Sequence, residues 1–263
     1  MSKIFLILVI LFSNLVIAKS VDLTTQLLNV SGTNKQFSNI PNDIKVNLEA
    51  MAVQITDPKI RKIQKETNKK LIIHVVHALK ELNLNSLINK AMNTEEVREA
   101  HIWYLGELAK KITQFEINEQ SRGVQGLRKY ALNFKKNPPI KKRMILIGGI
   151  VKQTGSIKSN LEIHKVVALS AAIRENNLKS LDKRERLMGI IERISEKVRK
   201  SSAMISNMVY IQTFRMYETL SDQELKTYFN FLQTSSGSKL QRTLMLAMVE
   251  IFNTASSNFA KTK

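Results

Sequence analysis

The chain has 263 residues, enough for one large or two small domains, and 43% of them are apolar, a globular rather than a disordered balance. It has no cysteine, so disulfides are excluded and packing alone must hold it together. Lysine and arginine number 41 against 22 acidic residues, a net charge of +19, which suits either a polyanionic partner or a dispersed solvated surface.

Met1 to Ala18 reads as a secretory signal: Lys3 in a short basic lead, an unbroken apolar run from Ile4 to Phe12, and small residues Val16 and Ala18 before the cut. The run is too short for an ordinary membrane span, so the mature chain is expected to begin at Lys19 and to hold no stable span. Gly and Pro are scarce (9 and 4), and alternating β-branched runs are missing, so every element is expected to be helical. A short helix ends at Gly32. Pro41 starts the next, with Ile44, Leu48 and Met51 as its stripe. Asp57 and Pro58 open a third, with Ile60, Ile63, Thr67, Leu71, Val75, Ala78 and Leu82 inside and Lys59, Arg61, Lys62, Lys65, Lys69 and Lys70 outside. A short helix follows to Met92.

Ser121 is expected to cap a helix carrying Val124, Leu127, Ala131 and Phe134. Asn137-Pro138-Pro139 then breaks the chain, because proline lacks a donor and forces its predecessor extended. The division falls there: residues 19–137 form an N-terminal helical half and 138–263 a C-terminal one. Met144 to Val151 is apolar enough to be buried, and Gly148-Gly149 permits a close helix contact. Thr154-Gly155-Ser156 is a turn. Ser201 and Ser202 interrupt a long amphipathic stretch, and a last helix runs from Ser238 to about Phe252.

Two blocks share one punctuation. In Ser221 to Leu240, Ser221 and Glu224 have capping-box spacing, and Leu220 and Leu225 have that of a hydrophobic staple. Leu225, Tyr228, Phe229 and Leu232 make an apolar face, and Thr234 to Gly237 end the helix. In Asn93 to Ile112 the same order returns: Asn93 and Glu96, Met92 and Val97, then Trp103 where Phe231 lies, Ala109 for Gly237, Lys111 for Lys239, and Ile112 for Leu240. Both blocks should form a capped helix, a break and a second helix. Gly237 is expected to turn left-handed there, and the first break to be a softer kink at Gly106.

Glu224-Leu225, Tyr228, Phe231, Ser235, Gly237, Lys239 and Leu240 resemble the E-L…F-Y-x-S-P-x-G-x-K signature of a family of exported, all-helical bacterial proteins carrying a domain of unknown function. Trp103 to Ile112 resembles a degenerate copy, and LLNVSGTNKQFSNIP is similar to the start of that family. Ser235-Ser236 stands where the family has Ser-Pro. The resemblance implies a helical fold, export and an internal repeat, and it carries no catalytic residue.

The residues themselves carry no P-loop, nucleophile elbow, dinucleotide turn or cysteine nucleophile. His74 and His77 share a helix face, with Glu81 a turn on, but a zinc site needs three ligands and a supporting shell, so they read as ordinary helix residues. Glu116, Glu162 and Glu192 read as polar-face carboxylates, and Trp103 and Tyr104 as core. The expected fold is all-α: a two-half helical bundle with a duplicated capped helix–break–helix block. The expected function is non-catalytic, in a periplasmic or secreted protein with no cofactor. The alternative is a binder of envelope polyanions (lipopolysaccharide, anionic lipid, acidic polymer or nucleic acid) through Lys135, Lys136, Lys141, Lys142, Arg143, Lys183, Arg184 and Arg186. An envelope metal hydrolase ranks last.

Overall fold

The computed structural model describes residues 22–121, 123–136, 138–177 and 183–261. The signal-like segment lies outside them. The described residues form thirteen helices and no strand, so the fold is all-α. In order they are α1 (Leu23–Val30), α2 (Thr33–Val53), α3 (Pro58–Glu81), α4 (Leu84–Ala91), α5 (Thr94–Leu105), α6 (Glu107–Ser121) and α7 (Gly123–Lys136). Then come α8 (Lys141–Thr154), α9 (Ser156–Asn177), α10 (Lys183–Lys200), α11 (Ser202–Met216), α12 (Asp222–Gln233) and α13 (Ser235–Lys261).

Several boundaries follow from local chemistry. Asp57 accepts from the backbone N–H groups of Lys59 and Ile60 at 2.7 and 3.2 Å, and Pro58 takes the first helical position, where no donor is needed. Gly155 ends α8 at φ 65°, a left-handed value that glycine adopts without a Cβ penalty. Pro41 departs from expectation: it lies inside α2 rather than at its start. Phe37, Ile40, Ile44 and Leu48 are all buried on one stripe that runs through the proline, so packing holds the helix where a backbone hydrogen bond is missing.

Two apolar clusters fill the interior. One gathers Leu27, Leu28, Ile88, Ala100, Ile147, Ile150, Leu225 and Leu240. The other gathers Ile44, Leu48, Leu71, Val75, Val166, Ile251 and Phe252, around the α3–α13 contact. Each takes residues from both sides of Pro138-Pro139. The α8 segment is only half as buried as its composition suggests. Leu146, Ile147, Ile150 and Val151 face inward, but Met144 and Ile145 remain exposed. Gly149 makes the close contact expected of it, since a Cβ there would stand 2.5 Å from the Phe229 ring. No helix of the described residues is long and apolar enough to cross a membrane.

Candidate functional site

The two punctuated blocks meet face to face. Both capping boxes are complete. Asn93 Oδ1 accepts from Glu96 N (2.9 Å) while Glu96 Oε2 accepts from Asn93 N (3.0 Å); Ser221 and Glu224 do the same at 3.2 and 2.7 Å. The staple residues Met92, Val97, Leu220 and Leu225 are buried. Each capping glutamate also receives the lysine of the opposite block: Lys239 Nζ donates to Glu96 at 2.6 Å, and Lys111 Nζ to Glu224 at 2.8 Å. Between these braces Trp103 stacks on Phe231, ring centroids 4.5 Å apart and nearly parallel at 8°. Tyr104 meets the Phe231 edge.

Both breaks have one shape. Gly106 and Thr234 sit in extended backbone (φ −70°, ψ 151° and φ −66°, ψ 161°), with their N–H groups turned back to Trp103 and Phe231. Two expectations are thereby corrected. The first break is as complete as the second, and the second lies at Thr234, three residues before Gly237. Gly237 belongs to α13, and the positive-φ glycines among the described residues are Gly32 and Gly155. Thr234 ends one helix and caps the next: its hydroxyl donates to Phe231 O and accepts from Gly237 N. Gly237 is needed for space, because its Cβ would lie 2.1 Å from the Phe231 carbonyl oxygen.

Lys239, Ser235 and the Asn93 backbone together hold the Glu96 carboxyl down at about 2, and Lys111 and Ser221 do the same for Glu224. Folded-state values below the ordinary 4.5 mean that both groups stabilise the fold above that pH and lose their contribution as pH falls towards 2. Asp43, pushed up to about 6 by burial, works with the opposite sign: its contribution is full below 3.8 and lost as pH rises through about 6. Acid titration followed by circular dichroism should therefore show a stability loss between pH 4.5 and 2. Replacing Lys111 and Lys239 by Met should flatten it; an unchanged acid limb would detach the lysines from it.

A second polar knot lies beneath. Glu116 accepts from Tyr217 Oη at 2.7 Å, Tyr228 Oη at 3.0 Å and Gln36 Nε2 at 3.3 Å. Burial pushes its carboxyl up, and the three donors pull it back. The same burial, with Glu116 opposite, raises both tyrosines well above the usual phenol value. Glu116 is thus not the polar-face carboxylate that the sequence suggested. One turn on, Glu119 and Arg215 form a buried ion pair with side chains 1% and 7% exposed, Arg215 Nε donating at 2.8 Å. The signal for both acids was present: positions 112, 116 and 119 share one helix face, and Ile112 is fully buried. A cleft of about 460 Å³ borders Arg215, lined also by Gly126, Lys129, Tyr130, Asn133 and Glu218. Its mixed charges select no ligand class.

The basic candidates separate into three groups. Lys135, Lys136, Lys141 and Lys142 are exposed at the α7–α8 corner, and none makes an ion pair among the described residues. Arg143 has another task. It donates to the carbonyls of Leu220 (2.9 Å) and Tyr217 (2.8 Å) and to Asp222 (2.9 Å), tying the α11 end to the start of α12. The side chains of Lys183, Arg184 and Arg186 lie outside the described residues, although their backbone belongs to α10. His74 packs on Phe259 and His77 meets Glu81 at 3.4 Å; no group of three metal-capable side chains occurs among the described residues. Comparison with protein families, with characterised proteins and with solved structures returns no match for this chain.

Proposed function

We propose that this chain is an exported, non-catalytic binding protein that engages polyanions through the α7–α8 corner. The observation that carries the reading is the local charge balance. From Glu119 to Glu162 the sequence has no acidic residue, while Lys and Arg recur throughout. Several surface cations elsewhere pair with acids one turn away, as in Lys69–Glu66, Arg98–Glu95, Lys110–Glu107 and Arg199–Glu196, although Lys59, Lys62, Lys65 and Lys70 of α3 do not. At the corner none of the four lysines does. Unpaired cations attract polyanions by counterion release, so binding should fall steeply with salt. Two acids support the non-catalytic part, since the half-buried Glu116 and the buried Glu119 both bind partners within the fold.

Retention on heparin tests this. Replacing Lys135, Lys136, Lys141 and Lys142 by Glu should abolish retention, and single replacements should lower the salt slope by roughly one unit per lost contact. Equal retention of wild type and variant would sink the reading. Arg143 is left in place, because its loss would disturb the α11–α12 junction instead. Export rests on Lys3, the Ile4–Phe12 run and Ala18. N-terminal sequencing of the purified protein should begin at Lys19, and an intact Met1 would remove it.

An internal duplication and the exported-family kinship belong to the same proposal. They are supported by the work each signature residue does: Glu224 caps, Leu225 and Leu240 fill the core, Phe231 stacks, and Ser235 and Lys239 bind Glu96. On this reading the signature maintains a junction rather than a site.

A further inference from the structure

We infer that the polyanion met by the α7–α8 corner is the surface of an anionic lipid bilayer, which takes apolar side chains as well as charge. The inference rests on the polyanion reading above. Ile140, Met144 and Ile145 are 66%, 47% and 65% exposed, and they stand among the unpaired Lys135, Lys136, Lys141 and Lys142. On α8, at 100° per residue, Lys141, Met144, Ile145 and Lys152 fall within about a third of the circumference, opposite the buried Leu146 and Ile150. On α7, Leu132 is 65% exposed and shares a face with Lys135 and Lys136, at the i, i+3 and i+4 positions. Both helices pack on α11.

The pattern is therefore repeated: bare aliphatic side chains flanked by lysines that make no ion pair among the described residues, the nearby Asp222 being taken up by Arg143. A soluble polyanion uses the lysines and gains nothing from the isoleucines. A bilayer surface uses both, because headgroup phosphates meet the ammonium groups while aliphatic side chains enter the acyl boundary and lysine stems lie along it. The contact is peripheral, since no described helix can span.

Flotation of the mature chain with vesicles tests this. Wild type should bind phosphatidylcholine vesicles containing phosphatidylglycerol and ignore phosphatidylcholine alone. Met144→Ser with Ile145→Ser should weaken vesicle binding by at least about tenfold and leave heparin retention unchanged. Replacing the four lysines by Glu should remove both. Ile145→Trp should be quenched by brominated acyl chains in anionic vesicles. Serine variants that bind vesicles like wild type, or a tryptophan that stays unquenched, overturn the lipid inference and leave the polyanion reading intact. Loss of heparin retention in wild type would overturn both. The substituted side chains are exposed, and circular dichroism confirms that each variant is folded.

Discussion

Gly237→Val should destabilise the fold by about 3 kcal/mol, read as a fall in the midpoint of chemical unfolding. The first side-chain carbon would stand 2.1 Å from the Phe231 carbonyl oxygen, 2.9 Å from its carbon and 3.1 Å from the Leu232 Cα. All three are backbone atoms, so no rotamer change relieves the clash. Helices α12 and α13 would have to part, pulling Ser235 and Lys239 from Glu96. Gly237→Asn separates crowding from conformation. A left-handed position tolerates asparagine, whereas a crowded one does not. Asparagine at wild-type stability would refute the steric account. The buried Ala109 holds the corresponding place in the first block, where a methyl is accommodated.

Arg215→Met should cost about 3–5 kcal/mol, because it removes the guanidinium that pairs with the buried Glu119 carboxylate. The pair itself contributes less than that figure suggests, since placing both ions in the interior is itself unfavourable. The double replacement Glu119→Leu with Arg215→Met should therefore recover most of the loss. If the double variant is as unstable as the single one, the guanidinium matters for packing or further partners rather than for Glu119.

What was legible in the sequence was what is local in it. Capping boxes, staples, the Asp57-Pro58 start and the Gly155 stop depend on residues within a turn of each other, and all were readable. The Lys239–Glu96 and Lys111–Glu224 braces were not. Each lysine could be seen as one half of a repeated pair, but nothing nearby says which carboxylate it meets 143 or 113 residues away. Glu116 was misjudged although its place on the Ile112 face was readable; what was not readable is its partners, tyrosines 101 and 112 residues off. Gly237 was singled out correctly but for conformation, when the constraint is the Phe231 backbone in the preceding helix. Met144 and Ile145 show the reverse failure. Composition suggested burial, and only the fold reveals that α8 has an open side. Arg143 looks like its lysine neighbours in sequence, and only its three-dimensional partners set it apart.

The reciprocal braces also impose a timetable. A chain made from its N-terminus exposes the Trp103 face long before Phe231 exists, and at ordinary synthesis speed the wait is on the order of ten seconds. During that interval Glu96 lacks its lysine and the indole has nothing to stack on. The junction can close only on a nearly complete chain, so an unfinished or truncated product keeps an aromatic surface open to chaperones and proteases. Closure of the two blocks is thus a late event in the making of the chain, and it uses the same four charged residues and two rings that hold the finished fold.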